Sequence, residues 1–290
     1  MRPRLPRQPQ SCGPLPAALP PLVGRDDDLA ALGALVGRQR VVSVVGAGGV
    51  GKTRLVQALL QRQRDAYAHG VCFVELAPLS EAGRVADTIA AALGLRSGGG
   101  DALTGLVAAC APLTLLLALD NAEHLLDEVA RVVQALHDGA PEVRLIVTAQ
   151  APLKQSVEHL YRLGSLSVPD RAAPAGEALS HGAVALFVQR ARALDPGFEI
   201  DEHNVGTVIA ICRRLDGLPL AIELATARLP LLGLQKLSTS LDERLQLLTT
   251  GQRGAPARHP APDLARLRAP QSGRRRAGAG RRSPGLLTRA

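Results

Sequence analysis

The sequence is poor in aromatic residues and in cysteine. Tryptophan is absent, and aromatic residues make up 2% of the 290 positions. A core must therefore be built from leucine, valine and alanine, which the 46% of hydrophobic residues allows. Cys12, Cys72, Cys110 and Cys212 lie far apart, without the paired spacing of a zinc site or a disulfide framework. We expect them to be small buried thiols in a reducing compartment.

A long hydrophobic segment is also missing. Leu115–Leu119 is a purely apolar run, but a membrane-spanning helix needs about 20 such residues. Residues 1–21 contain arginines and many prolines but no apolar stretch typical of a secretory signal. We therefore predict a cytoplasmic protein without a membrane partner, in which residues 1–21 form a disordered, proline-rich terminus.

Negative charge is scarce towards the C-terminus. The chain has a formal net charge of +8, but residues 251–290 contain ten arginines and one aspartate, which leaves residues 1–250 at −1. We predict a basic, disordered tail over 251–290 and favour a solvated tail over a binding segment. Its arginines could contact nucleic-acid phosphates weakly, but no aromatic residue is present there to stack on bases, and no other direct DNA contact is expected. Five of the ten arginines are clustered, namely Arg274, Arg275, Arg276, Arg281 and Arg282.

A glycine-rich loop follows the apolar run Val41–Val45 and precedes an amphipathic helix. Residues 46–53, GAGGVGKT, match the phosphate-loop pattern G-x-x-x-x-G-K-[ST] at every fixed position. Glycines let consecutive backbone N–H groups converge, and the following helix adds its unpaired donors and the positive end of its dipole. Lys52 supplies charge for the β- and γ-phosphates, and Thr53 supplies a hydroxyl for Mg²⁺. Strand, loop and helix in this order favour a nucleoside triphosphate site over a loop that binds nothing.

Three further apolar runs, over residues 71–76, 113–119 and 143–148, alternate with helical patterns. Continuous apolar strands separated by helices are typical of a parallel sheet covered on both faces. From about residue 177 only helical patterns remain. The sequence predicts an α/β fold: a parallel-sheet P-loop NTPase domain over residues 22–165, then a smaller all-helical domain over 175–250.

Polar residues follow two of the predicted strands. Asp120 ends the third run and Thr148 ends the fourth, so both should reach the phosphate loop at the carboxyl edge of the sheet. Asp120 and Thr53 are the predicted Mg²⁺ ligands. Glu123 could orient water towards the γ-phosphate, or it could be an acid favoured by a helix dipole. The predicted catalytic residues are Lys52, Asp120 and Glu123.

The ordered set of motifs resembles a STAND-class ATPase of the NB-ARC type, as found in bacterial winged-helix and SARP-like transcriptional regulators. The motifs are the phosphate loop, Val23-Gly24-Arg25, Asp120-Asn121-Ala122-Glu123-His124, Thr148-Ala149-Gln150 and Gly217-Leu218-Pro219-Leu220-Ala221. The resemblance extends over about residues 20–258.

This resemblance implies a switch that holds ADP when closed, opens with ATP and can self-associate in the ATP form. It implies that Val23, Gly24 and Arg25 approach adenine and ribose, that Pro219 lies against the base, and that Thr148 belongs to a γ-phosphate sensor. The expected nucleotide-binding residues are Val23, Gly24, Arg25, Gly46, Gly48, Gly49, Val50, Gly51, Lys52, Thr53, Arg54, Thr148 and Pro219.

Two departures from the family pattern qualify these expectations. Relatives usually have arginine where this chain has Gln150, and the loss of a cation predicts slow or absent hydrolysis with binding retained. After Arg258-His259 the sequence lacks the winged-helix pattern, so the chain looks truncated. The tail could be an out-of-frame ending of a longer gene.

Two other interpretations stay open. A small-molecule kinase would share the phosphate loop, but it needs an acceptor pocket and an arginine-bearing lid, for which no pattern is visible. A truncated product without a working output is the third possibility. Bound ADP in the purified protein would favour the switch over the kinase.

Overall fold

The computed structural model describes residues 19–95, 101–170 and 172–253. The chain divides into two compact units, residues 1–245 and 246–290, and the second is described only over its helical residues 246–253. The proline-rich residues 1–18 and residues 254–290, which hold nine of the ten arginines of the basic tail, lie outside the described residues. Both the sheet and most of the helical part belong to the first unit, and the domain boundaries given above stay predictions.

Five strands form one parallel sheet. They are β1 (Val41–Val45), β2 (Val71–Glu75), β3 (Leu115–Asp120), β4 (Val143–Ala149) and β5 (His159–Arg162). Their order across the sheet is β2-β3-β4-β1-β5, and all neighbours are parallel. The carboxyl ends of the strands therefore share one edge, where ligands bind in sheets of this kind.

Helices cover both faces of this sheet. They are α1 (Asp26–Arg38), α2 (Lys52–Arg62), α3 (Val85–Ala92), α4 (Ala102–Cys110) and α5 (Leu126–Gly139), with short 3₁₀ helices at Ala82–Arg84 and Ala122–His124. Leu116 and Ala118 of β3 pack into the core with α1 and α2. Leu115, Leu117 and Leu119 pack with α3, α4 and α5. Because both faces are buried, the strand has no polar alternation, as the sequence indicated.

The remaining described helices form a second hydrophobic core. They are α6 (Ala175–Ala178), α7 (Gly182–Leu194), α8 (Val205–Arg214), α9 (Pro219–Thr226) and α10 (Leu229–Arg253). Phe187 is buried at the centre of this core, 6.3 Å from Phe198 between ring centroids. Helix α10 is interrupted at Gly233, whose φ of 69° is not helical. The predicted fold class, a parallel-sheet P-loop NTPase fold followed by helices, is confirmed.

The sequence patterns missed some elements. All four apolar runs are strands, but β5 is an additional edge strand paired to β1. Its residues are mostly exposed, so it lacks the hydrophobic run that marks a buried strand. None of the helices that the structure describes is long and apolar enough to cross a membrane.

A tight turn joins α8 to α9. Asp216 and Gly217 have positive φ values of 51° and 62°, and Gly217 accepts a hydrogen bond from the Leu166 N–H at 3.0 Å. A side chain at Gly217 would collide with the Leu166 carbonyl oxygen. Pro219 then occupies the first turn of α9, where its fixed φ suits the helix and its missing N–H costs nothing. The turn thereby aims the start of α9 at the sheet edge.

Gly24 gives a test of how the first helix is held against the helical part. Its φ is +62°, and a Cβ at this position would collide with the Cα of Gly182 at the start of α7. We expect Gly24→Ala to lower the free energy of unfolding by about 3 kcal/mol, because it adds backbone strain to a steric clash. Urea unfolding measures this loss.

Gly37→Ala is the matched control, since Gly37 lies in α1 with nothing within 4 Å of an added Cβ. Alanine should stabilise that helix by about 0.5–1 kcal/mol. A Gly24→Ala protein as stable as the wild type would contradict the close packing at Gly182.

Candidate nucleotide site

The glycine loop between β1 and α2 has the conformation that converging N–H groups need. Gly49 and Gly51 have φ values of 76° and 99°, which residues with a side chain rarely adopt. Gly51 is the residue before α2, so the helix begins at Lys52 and its first N–H groups lack helical acceptors. An anion at this point would meet backbone donors and the positive end of the helix dipole.

Lys52 extends back along the loop. Its Nζ donates to the carbonyl oxygens of Gly46 at 2.8 Å and Ala47 at 3.1 Å. The residue is 9% exposed, and this burial lowers the pKa of its ammonium group, while the charges of Glu123 and Asp120 act in the opposite direction. Two carbonyl oxygens thus hold the ammonium group, and Lys52 lines the pocket beside the glycine loop.

A buried carboxylate joins three elements at the sheet edge. Asp120, 3% exposed, accepts hydrogen bonds from the Thr148 hydroxyl at 2.6 Å and from the Thr53 hydroxyl at 2.9 and 3.0 Å. Burial raises the pKa of Asp120, the two hydroxyl bonds lower it, and Glu75 and Glu123 raise it further. A hydroxyl and a carboxylate side by side are the oxygen ligands that Mg²⁺ prefers, so Thr53 and Asp120 fit such an ion.

Glu123 is held by two amides. Gln150 Nε2 donates to Glu123 Oε1 at 3.2 Å. The side-chain amide of Asn121 satisfies its hydrogen bonds when its nitrogen faces Glu123. In that orientation the nitrogen lies 2.7 Å from Glu123 Oε1 and 2.9 Å from Oε2. Asn121 has a left-handed φ of 64°, which asparagine tolerates better than most residues, and its N–H donates to the Thr148 hydroxyl at 2.9 Å. The carboxylate is therefore oriented by side chains.

A cleft runs between the sheet edge and the helices, and it has two compartments. The loop compartment is lined by the glycine loop together with polar side chains. The apolar compartment is lined mainly by Pro21, Leu22, Val23, Leu166, Leu186 and Pro219. Gly51, Arg54, Pro219 and Glu223 border both compartments, which therefore adjoin each other.

The Val23-Gly24-Arg25 segment lines this cleft and connects neighbouring elements of the fold. Val23 and Arg25 line the apolar compartment. The Arg25 guanidinium, nearly buried, donates to Asp28 at 2.9 Å, to the Val50 carbonyl at 3.0 Å and to the Gly164 carbonyl at 2.7 Å. Its donors thus fasten the glycine loop to α1 and to the chain after β5.

The start of α9 touches the glycine loop directly. The Leu220 N–H donates to the Gly49 carbonyl at 3.2 Å, and a Cβ at Gly49 would lie 2.7 Å from the Leu220 Cβ. On the same side of the cleft, Arg190 of α7 and Glu223 of α9 form an ion pair at 2.6 Å. The helical part therefore meets the loop through backbone as well as side chains.

Comparison with known proteins identifies the family of this fold. The AAA ATPase domain family matches residues 21–167, about half of the chain. The chain belongs to the AAA ATPase domain family. Within this family, the match spans the sheet, the phosphate loop and Asp120, and it ends before the helical part.

Relatives of this AAA ATPase domain include longer proteins. A Mycobacterium tuberculosis protein, provisionally named an HTH-type transcriptional regulator, is 40% identical over 223 residues, which are 77% of this chain and 24% of the relative. An uncharacterised protein of the same organism is 33% identical over 227 residues, covering 78% of this chain and 55% of that protein. This chain thus spans about a quarter of the first relative.

Solved structures share the AAA ATPase fold. The Walker-type ATPase of Pyrococcus abyssi superposes with a TM-score of 0.54 at 14% identity, over 80% of this chain and 75% of that one. At such low identity the likeness extends to the fold alone.

The structure brings most of the predicted site residues to the cleft. Gly48, Gly49, Gly51, Lys52, Thr53, Arg54, Glu123, Thr148 and Pro219 line the loop compartment, and Val23, Arg25 and Val50 line the apolar one. Asp120 lies behind Thr53 and Thr148. Gly46 packs against the Leu163 carbonyl, and Gly24 packs against Gly182, so neither lines a compartment. The binding and catalytic roles of all these residues stay predictions.

Sequence reasoning did not identify Arg190, Glu223, Leu166 or Leu186 as cleft residues. They come from the helical part and its connection to the sheet, and their place depends on how those helices pack. One signal was present for Glu223: it follows Pro219 by four residues, so both lie on one face of α9.

The raised pKa of Asp120 predicts a stability cost with a definite pH dependence. The folded protein binds a proton at this carboxyl more readily than the unfolded chain, so its charged form is destabilising near neutral pH. We expect Asp120→Asn to raise the free energy of unfolding of the nucleotide-free protein at pH 7. The gain should shrink as the pH falls through the raised pKa of the folded protein, because the wild-type carboxyl then becomes protonated and loses its buried charge.

Asp101→Asn is the control, measured by urea unfolding at the same pH values. Hydrogen bonds from Thr104 lower the pKa of Asp101 at the start of α4, so its charge favours the folded state and no gain is expected. Equal effects of the two substitutions, or no gain for Asp120→Asn, would contradict the buried-charge account.

Proposed function

We propose that this AAA ATPase domain is an ATP- and ADP-binding switch module of the STAND, NB-ARC-like type. It would belong to a bacterial signalling or transcriptional regulator and hydrolyse ATP slowly or not at all. The naming of the 40% identical mycobacterial relative as an HTH-type regulator supports this context. Self-association in the ATP form is part of the proposal.

The observation that carries the proposal is the contact between Leu220 and Gly49. A phosphate bound by the loop would contact the N–H groups of the loop. The Gly49 carbonyl in the same loop accepts a hydrogen bond from the Leu220 N–H of α9 at 3.2 Å. If ADP and ATP occupy the cleft differently, they would therefore favour different positions of α9. Differential binding of this kind is what a ligand needs to shift a protein between two arrangements.

The adjoining compartments suit the two ends of a nucleotide. The apolar compartment would take the base, with Pro219 and Val23 against the ring. The loop N–H groups and Lys52 would hold the polyphosphate. Thr53 and Asp120 would hold Mg²⁺, which supplies positive charge to the β- and γ-phosphate oxygens when bound.

Slow hydrolysis follows from the neutral residue at position 150. Gln150 lies beside the loop, with its Nε2 3.9 Å from the position of a Cβ on Gly48. It offers an amide where relatives usually carry a cation, so less charge is available to stabilise a developing negative charge. Glu123, hydrogen-bonded to Gln150 and Asn121, is less free to orient water.

The central test is the nucleotide content of the protein. We expect heat-denatured wild-type protein to release ADP, detected by mass spectrometry, and Lys52→Ala protein to release none. In calorimetric titrations with ATP and Mg²⁺, Lys52→Ala should lose measurable binding, because the ammonium that pairs with the phosphates is gone. Unchanged affinity of this variant would contradict the site, and absence of nucleotide binding by the wild type would overturn the proposed function.

Lys236→Ala serves as the control for that titration. Lys236 is an exposed lysine on α10, outside the residues that line the cleft. Its removal changes the net charge by the same amount as Lys52→Ala. It should leave nucleotide affinity within about twofold of the wild type, since exposed charges act weakly at a distance.

The slow-hydrolysis part of the proposal has its own test. Gln150→Arg should raise the rate of phosphate release by on the order of tenfold, because it restores a cation beside the loop. Gln134→Arg, on α5, adds the same charge away from the cleft and should leave the rate unchanged. Equal or lower phosphate release from Gln150→Arg would mean that this position does not contact the transferred phosphate.

A further inference from the structure

The ion pair between Arg190 and Glu223 leaves one carboxylate oxygen available. Arg190 donates to Glu223 Oε1 through Nε at 3.1 Å and through Nη2 at 2.6 Å. Both bonds reach the same oxygen. Within the described part of the chain, no hydrogen bond is formed by Glu223 Oε2. The side chain of Glu223 is 38% exposed, although it belongs to a helix that packs against the loop.

The position of Glu223 in the cleft is specific. It is one of four residues that border both the apolar and the loop compartments. In any nucleotide, the part that connects the base to the phosphates is the sugar. If the base occupies the apolar compartment and the phosphates the loop compartment, the sugar must pass the junction of the two.

The side chains at this junction favour a ligand group that donates a hydrogen bond. Of the four bordering residues, Gly51 and Pro219 have no polar side chain, and Arg54 can only donate hydrogen bonds. Glu223 is the one acceptor side chain among them. Its charge is partly balanced by Arg190, so it can stand near a polyphosphate at a smaller electrostatic cost than an unpaired carboxylate.

We propose that Glu223 binds the ribose of the nucleotide, with its carboxylate accepting a hydrogen bond from the 2′- or 3′-hydroxyl group. Arg190 is a positioning residue that fixes the carboxylate at the junction. The site is therefore selective for ribonucleotides over deoxyribonucleotides. This inference rests on the proposed function, because it requires a nucleotide in the cleft.

The ion pair also connects the sugar to the helical part. Arg190 lies on α7 and Glu223 on α9, so a ribose hydroxyl bound to Glu223 would contact both helices through one carboxylate. Sugar recognition thus involves the same helix whose first turn touches Gly49.

The test compares affinities of nucleotide-free, full-length protein for ATP, 2′-deoxy-ATP and 3′-deoxy-ATP by calorimetry. Wild-type protein should bind at least one of the deoxynucleotides about tenfold more weakly than ATP, the loss expected for a hydrogen bond to a charged group. In Glu223→Ala the three affinities should become equal within about twofold. The affinity ratios of the three nucleotides are compared within one variant. Such ratios separate recognition of the sugar from any loss of folded protein, because that loss affects all three titrations alike.

Glu177→Ala is the matched control. Glu177 is an exposed carboxylate on α6 that borders neither compartment, so its loss should leave the wild-type ratios unchanged. Inosine triphosphate, which lacks the amino group of adenine, distinguishes base recognition from sugar recognition. If Glu223→Ala changes the ratio of ATP to inosine triphosphate and leaves the deoxynucleotide ratios intact, the carboxylate binds the base and the inference is overturned.

Equal affinity of the wild type for ATP and both deoxynucleotides also overturns the inference, and it leaves the proposed nucleotide switch intact. Failure of the wild type to bind any of these nucleotides removes the proposed function and the inference together.

Discussion

The burial of one carboxylate constrains the whole sheet edge. Asp120 links β3 to the start of α2 through Thr53 and to the end of β4 through Thr148. The hydroxyl bonds offset only part of the cost of burying this charge, because the pKa of Asp120 remains raised. A cation beside the carboxylate would offset the remainder. The fold thus carries an electrostatic cost at Asp120 that binding of the proposed Mg²⁺ would relieve.

The helical part contacts the rest of the fold at two glycines where an added side chain would collide. Gly24 packs against the main chain of Gly182, and Gly49 of the glycine loop packs against the Leu220 side chain and accepts a hydrogen bond from the Leu220 N–H. A shift of the glycine loop would therefore have to move the start of α9 or break the contact at Gly49. In the proposed switch, this coupling would let the bound nucleotide favour one position of α9 over another.

The parts of the fold that could be predicted from sequence are those with local signals. Buried runs such as Val41–Val45 and Leu115–Leu119 mark strands because both faces of the sheet are covered, and the loop motif marks the sheet edge. Strand β5 lacks such a run since it lies at an exposed edge. The pair of Arg190 and Glu223 could not be predicted, because the residues are 33 positions apart and meet only through the packing of α7 on α9.

The environment of Glu123 bears on whether this site favours hydrolysis or retention of nucleotide. A carboxylate orients water well when its lone pairs are available, yet Gln150 and Asn121 both donate to Glu123. The same neutral Gln150 stands beside the loop, where a cation would stabilise the transition state. In the proposed switch, both effects would slow the chemical step, and neither would weaken the loop donors or Lys52. A site with this balance would keep its nucleotide long enough for the bound state to act as a signal.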